Sequence, residues 1–262
     1  MDPVTERFDC TTEPARSEGI AAAQTAITAK QCIVMPTDTV YGIAADAFSA
    51  QAVATLLAAK GRGRNMPPPV LIARVGTMDG LAAEVPEDAR LLANFFWPGA
   101  LTLILRSQPS LSWDLGDTRG TVALRIPDDS VARDLLKETG PLAVSSANRS
   151  GQPAATTAAE AEEMLGESVS VYLDEGPRPP EQEGLETSSL PSTIVDCTGD
   201  VLRVVRQGAL SLAELRERVP SLLGIDESGP DAANVQAEPE GSGVELKEDD
   251  DAGEPGTPSA TA

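Results

Sequence analysis

Between about residues 17 and 220, short apolar runs alternate with stretches of helical periodicity. That alternation confines the chain to an α/β architecture more tightly than any other feature, because strands and helices in turn bury their apolar faces in layers. Ile20, Ala23, Ala26 and Ile27 recur at helical spacing, and Cys32–Met35 follows as a strand closed by Pro36. Ser49 is placed to cap a helix carrying Val53, Leu56 and Leu57 that ends at Gly61. Val70–Ala73 reads as a strand, and Pro86 opens a helix through Leu91, Leu92 and Phe95 that Trp97-Pro98-Gly99 stops. Further strands are predicted at Leu101–Leu105, Thr121–Ile126, Leu142–Val144, Val169–Leu173, Thr193–Asp196 and Leu202–Val205. Helices are predicted at Asp129–Glu138, near Ala158–Leu165, and after a capping Ser211, where Leu212, Leu215 and Val219 form the apolar side. Residues 174–191, rich in Pro, Glu and Ser, read as a long polar loop. The hydrophobic fraction of 41% suffices for a core, which only 3% aromatics make an aliphatic one.

The chain has no histidine, so Ser-His-Asp and Cys-His hydrolysis, histidine general bases and histidine metal sites are all excluded. Cys10, Cys32 and Cys197 are far apart, with no C-x-x-C, which argues against zinc or a disulfide framework. The net charge of −21 is unevenly spread. Residues 226–262 hold eleven acidic residues and one lysine, Lys247, a net −10 that leaves −11 for residues 1–225. This tail has no aromatic residue and no apolar periodicity, and its composition predicts a disordered solvating segment. The expected organisation is an N-terminal extension (1–16), one folded domain (17–220) and the acidic tail (221–262). No run approaches the ~20 apolar residues of a membrane span, and Met1-Asp2-Pro3 does not begin a signal peptide. A cytoplasmic location is expected.

Neither a dinucleotide fingerprint nor a P-loop is present, since Gly61-Arg62-Gly63 lacks the third glycine and no G-x-x-x-x-G-K-[ST] occurs. Hydroxyls and cations recur at strand ends instead: Thr37 and Thr39, Lys60 and Arg62, Arg125, Ser145-Ser146-Ala147-Asn148, Ser192, and Arg206 just before Gly208. Singly, each has an ordinary use in a turn, a helix C-terminus or a surface ion pair. Together, at the loops where α/β sheets place ligands, they suit an anionic ligand bearing phosphates and a carboxylate.

The blocks PTDTVYGI (36–43), KGRGR followed by PPPVLI (60–72), WPGALTLIL (97–105), VALRIP (122–127), SSANRSGQPA (145–154), PSTIVD (191–196) and RVVRQGA (203–209) together resemble the threonylcarbamoyl-AMP synthase family, the YrdC-type domain. The resemblance covers roughly residues 17–210, with every block in the family's order. It implies a single YrdC-like α/β domain, a twisted mixed sheet with helices on its faces and a concave active-site groove. It also implies that L-threonine, bicarbonate and ATP yield threonylcarbamoyl-AMP and pyrophosphate. Separate transferase proteins would then pass the threonylcarbamoyl group to an adenosine of ANN-decoding tRNAs. The class would be nucleotidyltransferase, with Mg²⁺ carried mainly by the triphosphate and no metal ligand of the protein's own.

By the same resemblance Thr39, Arg62, Arg125, Ser146 and Ser192 hold threonine, and Tyr41 walls its pocket. ATP falls to Arg62, Thr121, Asn148, Thr156 and Arg206, with Lys60 near the phosphates; Lys60 and Arg62 are the expected catalytic residues. Two positions depart from the pattern: Met66 stands where the family often has Lys or Asn, and Leu71 where many members have His. A histidine-free chain suits this reaction, which needs positioned ligands and fixed cations rather than an enzyme nucleophile. An alternative is a non-catalytic module gripping double-stranded RNA or tRNA with the same groove. It would need a basic patch, for which Lys60, Arg62, Arg64 and Arg74 are the candidates, and the acidic balance predicts weak or no direct tRNA binding. A carbamoyl-transferring subdomain of a larger maturation enzyme is a third option, disfavoured by the cysteine count.

Overall fold

A computed structural model describes residues 5–180 and 190–228. Among these residues eleven strands build one sheet: β1 (Glu6–Asp9), β2 (Ile33–Met35), β3 (Gly42–Asp46), β4 (Val70–Leu71), β5 (Ala82–Ala83), β6 (Leu101–Ser107), β7 (Thr121–Arg125), β8 (Leu142–Ser146), β9 (Val171–Asp174), β10 (Thr193–Asp196) and β11 (Arg203–Arg206). The order across it is β1-β9-β2-β3-β8-β4-β7-β6-β10-β11, with β5 added to β6. The sheet is mixed: β1, β9 and β2 run parallel, as do β4 with β7 and β6 with β10. β3 is antiparallel to both β2 and β8.

Helices α1 (Ala15–Thr28), α2 (Ala50–Ala59), α3 (Met78–Leu81), α4 (Glu87–Phe96), α5 (Ser130–Thr139), α6 (Ala158–Leu165) and α7 (Leu212–Arg216) cover both faces. One buried cluster joins α1 and α5 to Ile33, Met35, Leu142 and Val144; the other joins α2, α4 and α6 to Val34, Ile43 and Ala143. Alternate residues of one strand therefore serve opposite cores, which is why β2 is apolar and buried at every position. α5 shows the logic of a surface helix: Val131, Ala132, Leu135 and Leu136 form its buried stripe, and Asp129 caps it by accepting from Ala132 N at 2.9 Å. Ser49 and Ser211 cap α2 and α7 as their sequence positions predict.

Four differences from the sequence reading matter. β3 lies in a stretch to which the sequence pattern assigns no element, because its small residues GIAAD carry little strand propensity. The strand expected at Leu142–Val144 runs on to Ser146, and the one expected at Val70–Ala73 is only Val70–Leu71. β1 lies in the segment set aside as an N-terminal extension and pairs with β9 through main-chain bonds that no side-chain pattern announces. Packing also continues past residue 220, with Leu222 buried and the compact unit reaching Glu227. The acidic tail from residue 229 onward lies outside the described residues.

Candidate functional site

A cavity of about 300 Å³ opens where the ends of several strands meet, at the lower end of the size range of ligand sites. Register brings its walls together. Gly42 pairs with Ser146, so the turn before β3 faces the loop after β8, and Leu71 pairs with Arg125 at the ends of β4 and β7. β10 starts beside Leu101, which brings Ser192 to Thr102. Thr39, Tyr41, Arg62, Arg125, Ser146, Ser192 and Arg206 all line the cavity.

Arg125 is buried and heavily engaged. Its Nε donates to Gly99 O at 3.0 Å, Nη1 and Nη2 donate to Thr39 Oγ1 at 3.2 and 3.3 Å, and Nη2 donates to Asp38 Oδ1 at 2.6 Å. Asp38 also accepts from Asp128 N at 3.0 Å, which fixes the carboxylate that orients the guanidinium. Thr37 braces the turn by donating to Val40 O at 2.6 Å and accepting from Thr39 N and Val40 N. Arg62 is far less satisfied: Nη1 donates to Ser145 Oγ at 2.9 Å, while its buried Nε has no hydrogen-bond partner. Arg206 donates to Ser192 O from Nε (3.2 Å) and Nη2 (2.6 Å), and from Nη2 to Ser192 Oγ at 3.1 Å. Gly208 lets this loop approach, since a Cβ there would stand 2.1 Å from Pro191 O, and its N donates to Thr193 Oγ1 at 3.0 Å.

Three guanidiniums thus face one cavity. Burial lowers the proton affinity of Arg206, and the charges of Arg125 and Arg62 lower it further; burial does the same to Arg62. Such mutual repulsion is relieved by an anion, as is the orphaned Arg62 Nε–H. The remaining wall is apolar and includes Met66, Pro67, Pro69, Leu71 and Val144. Met66 and Leu71, the two departures from the family pattern, therefore sit on the cavity itself.

Four predicted site residues do not line it. Lys60 is 1% exposed and holds the loop after β8 from behind, its Nζ donating to Ser146 O, to Asn148 O at 2.6 Å and to Asn148 Oδ1 at 3.3 Å. Burial and the nearby Arg62 charge push the Lys60 ammonium down to about 7. Asn148 completes that loop by donating to Arg149 O and Gln152 O at 2.9 and 2.7 Å and accepting from Ser146 Oγ at 2.5 Å. Thr121 stands at the far end of β7 from Arg125, about 13 Å away at the strand rise, and donates to Thr118 O at 2.7 Å. Thr156 Oγ1 donates to Glu160 Oε2 at 3.0 Å beside the start of α6. Thr37, Asp38, Ser145 and Thr102 join the site without a role assigned by the resemblance, Asp38 through Arg125 and the others on the cavity wall. The first three lie inside the blocks already noted, whereas nothing in the apolar run around Thr102 singles it out. Of the four residues that the RNA-binding alternative would need as a basic patch, Lys60 is buried and Arg64 forks onto Asp114 with contacts of 3.0 and 2.7 Å.

Comparison with known proteins shows the family. The Sua5/YciO/YrdC family model, described as telomere recombination, matches residues 25–208. A Mycobacterium tuberculosis relative is 52% identical over 223 residues, covering 85% of this chain and 97% of its own length. A Bacillus subtilis protein named threonylcarbamoyl-AMP synthase is 35% identical over 207 residues, 78% of this chain and 56% of that protein. The solved structure of Pyrococcus abyssi Sua5 complexed with L-threonine superposes with a TM-score of 0.77 at 30% identity, over 84% of this chain and 62% of the other. The chain thus spans less than two thirds of each of those last two proteins.

Proposed function

The chain belongs to the Sua5/YciO/YrdC family, and on that premise we propose that it is an enzyme making threonylcarbamoyl-AMP from L-threonine, bicarbonate and ATP. The observation that carries this reading is the convergence of Arg62, Arg125 and Arg206 with seven hydroxyl residues on one cavity. Cations of this density, one with an unpartnered buried Nε–H, demand an anionic ligand. Arg125, Thr39, Ser146, Ser192 and Arg62 bind and orient threonine against the wall at Tyr41. Arg206 faces the nucleotide and Thr156, outside the cavity, meets a part of ATP that extends beyond it; Lys60 and Asn148, buried with their donors spent, act by shaping the loop after β8, and Thr121 lies too far along β7 to take part.

The threonine amine attacks the carbon of bicarbonate, and loss of water leaves a carbamate. A carbamate oxygen then attacks the α-phosphorus, the bond from that phosphorus to the bridging oxygen breaks, and pyrophosphate departs. Transfer of the adenylyl group makes the enzyme a nucleotidyltransferase. The chain's part is to hold three ligands in register and offset the charge growing on the phosphates, which needs neither histidine nor a covalent intermediate. Mg²⁺ enters as the chelate of the triphosphate. Among the described residues no group of three or more Asp, Glu, Cys or His side chains gathers, and Asp38 at the cavity is already held by Arg125, so no side chain is assigned to the metal.

The product is an activated acyl-adenylate for separate tRNA-modifying transferases, and a folded part with net charge −11 in its first 225 residues fits an enzyme that does not itself grip tRNA. A cytoplasmic setting suits these substrates; no helix among the described residues is long and apolar enough to cross a membrane. The test is pyrophosphate release from ATP and Mg²⁺ with threonine and bicarbonate added or omitted. Release that requires both supports the assignment, and release indifferent to threonine overturns it.

A further inference from the structure

Arg178 is 5% exposed, belongs to none of the sequence blocks, and has every N–H of its guanidinium engaged. Nε and Nη2 donate to Asp129 Oδ2 at 3.2 and 2.9 Å, Nη1 donates to Glu175 O and Pro177 O at 2.9 and 3.0 Å, and Nη2 also donates to the Glu175 carboxylate. The other oxygen of Asp129 caps α5. The guanidinium therefore staples the turn after β9 to the first turn of that helix. The stapled turn in turn grips Tyr41, whose hydroxyl donates to Gly176 O at 2.6 Å and accepts from Glu175 N at 3.1 Å. Tyr41 lines the cavity, and Glu175 and Gly176 do not, so its side chain joins the cavity to the staple.

The geometry points to Arg178 as a positioning residue for the threonine cavity, acting through the 175–178 turn on Tyr41. This inference rests on the threonine assignment of that cavity. A buried ion pair is seldom the cheapest way to stabilise a turn, because the desolvation of both charges offsets their attraction. Its geometric yield is different: three fixed donors hold three carbonyl or carboxylate groups of one short turn in a single arrangement, and two more tie it to Asp129. Lysine keeps the charge but offers three donors at one point and cannot reproduce that fork.

The experiment uses the full chain with 3-fluorotyrosine in place of its two tyrosines, the fluorine signals being assigned with Tyr172→Phe. In Arg178→Lys the Tyr41 signal should move or broaden. The threonine KM should rise roughly tenfold, below the hundredfold that a displacement of about 1 Å can cost, with the ATP KM and kcat nearly unchanged. Tyr41→Phe should raise the threonine KM similarly, and the double variant should be no worse than the more affected single one, since both break the same link. A lower melting temperature with the Tyr41 signal and threonine KM unmoved overturns the proposal. Additive effects in the double variant overturn it as well. If the unsubstituted protein releases no threonine-dependent pyrophosphate, the reaction assignment fails separately, and the fluorine signal still decides whether Arg178 sets Tyr41.

Discussion

Arg178 is buried and Arg62 partly so, but their guanidiniums are in opposite states. Around Arg178 five donors meet Asp129, Glu175 and two carbonyls, and nothing is left over. Around Arg62 the one side-chain partner is Ser145, a buried Nε–H is orphaned, and Arg206 adds repulsion across the cavity. The first arrangement is complete without a ligand and so belongs to architecture; the second is incomplete and so belongs to binding. A buried arginine therefore shows its role by its unspent donors rather than by its burial.

The largest effect should come from breaking the complete site. Asp129→Ala leaves Arg178 buried against Glu175 alone and uncaps α5, with an expected loss of about 3–5 kcal/mol of stability by denaturant unfolding. A loss near zero would mean that the staple is as dispensable as a surface pair. Next in size, Arg62→Ala should lower kcat/KM for threonine-dependent pyrophosphate release by about a hundredfold or more, while the melting temperature stays the same or rises. Removing a repelled guanidinium with an orphaned donor costs the empty protein little. Melting well below the unsubstituted protein would place Arg62 with Arg178 and dissolve the contrast.

The smallest effect is on pH dependence and concerns Lys60, the intermediate case, whose three donors are used while burial and Arg62 disfavour its charge. An exposed lysine titrates near 10.5 and Lys60 near 7 in the folded chain, so between those values the unfolded state binds the extra proton. Stability should therefore rise with pH across that window. Lys60→Met should remove that part of the rise, as read by melting temperatures from pH 7 to 10. An equal pH slope in both proteins would show that Lys60 keeps an ordinary proton affinity.

Much of the site was legible because its parts are local. Thr39, Arg125, Ser146, Ser192 and Arg206 each end or adjoin a strand whose apolar run is visible, Arg62 follows the apolar stripe of α2, and hydroxyls and cations at such ends stand out from the core pattern. Thr121 shows the limit of that reasoning, since it opens the strand that Arg125 closes and so lies about a strand's length from the cavity. Thr102 shows the converse, a core-strand residue turned into a site residue only because β10 pairs beside it. Arg178 was invisible because its four acceptors come from two segments more than forty residues apart.

By itself the sequence determined the α/β alternation, the aliphatic core, the helix caps at Ser49 and Ser211, and a chemistry without histidine. These follow from composition and from periodicities of two and 3.6 residues, which are properties of neighbours along the chain. Only the tertiary structure decided which strand ends meet, which arginine is spent and which is free, and that β1 and β3 join the sheet. Those outcomes depend on register and on donors counted across distant segments, where a shift of one residue would turn every side chain of a strand to the opposite face.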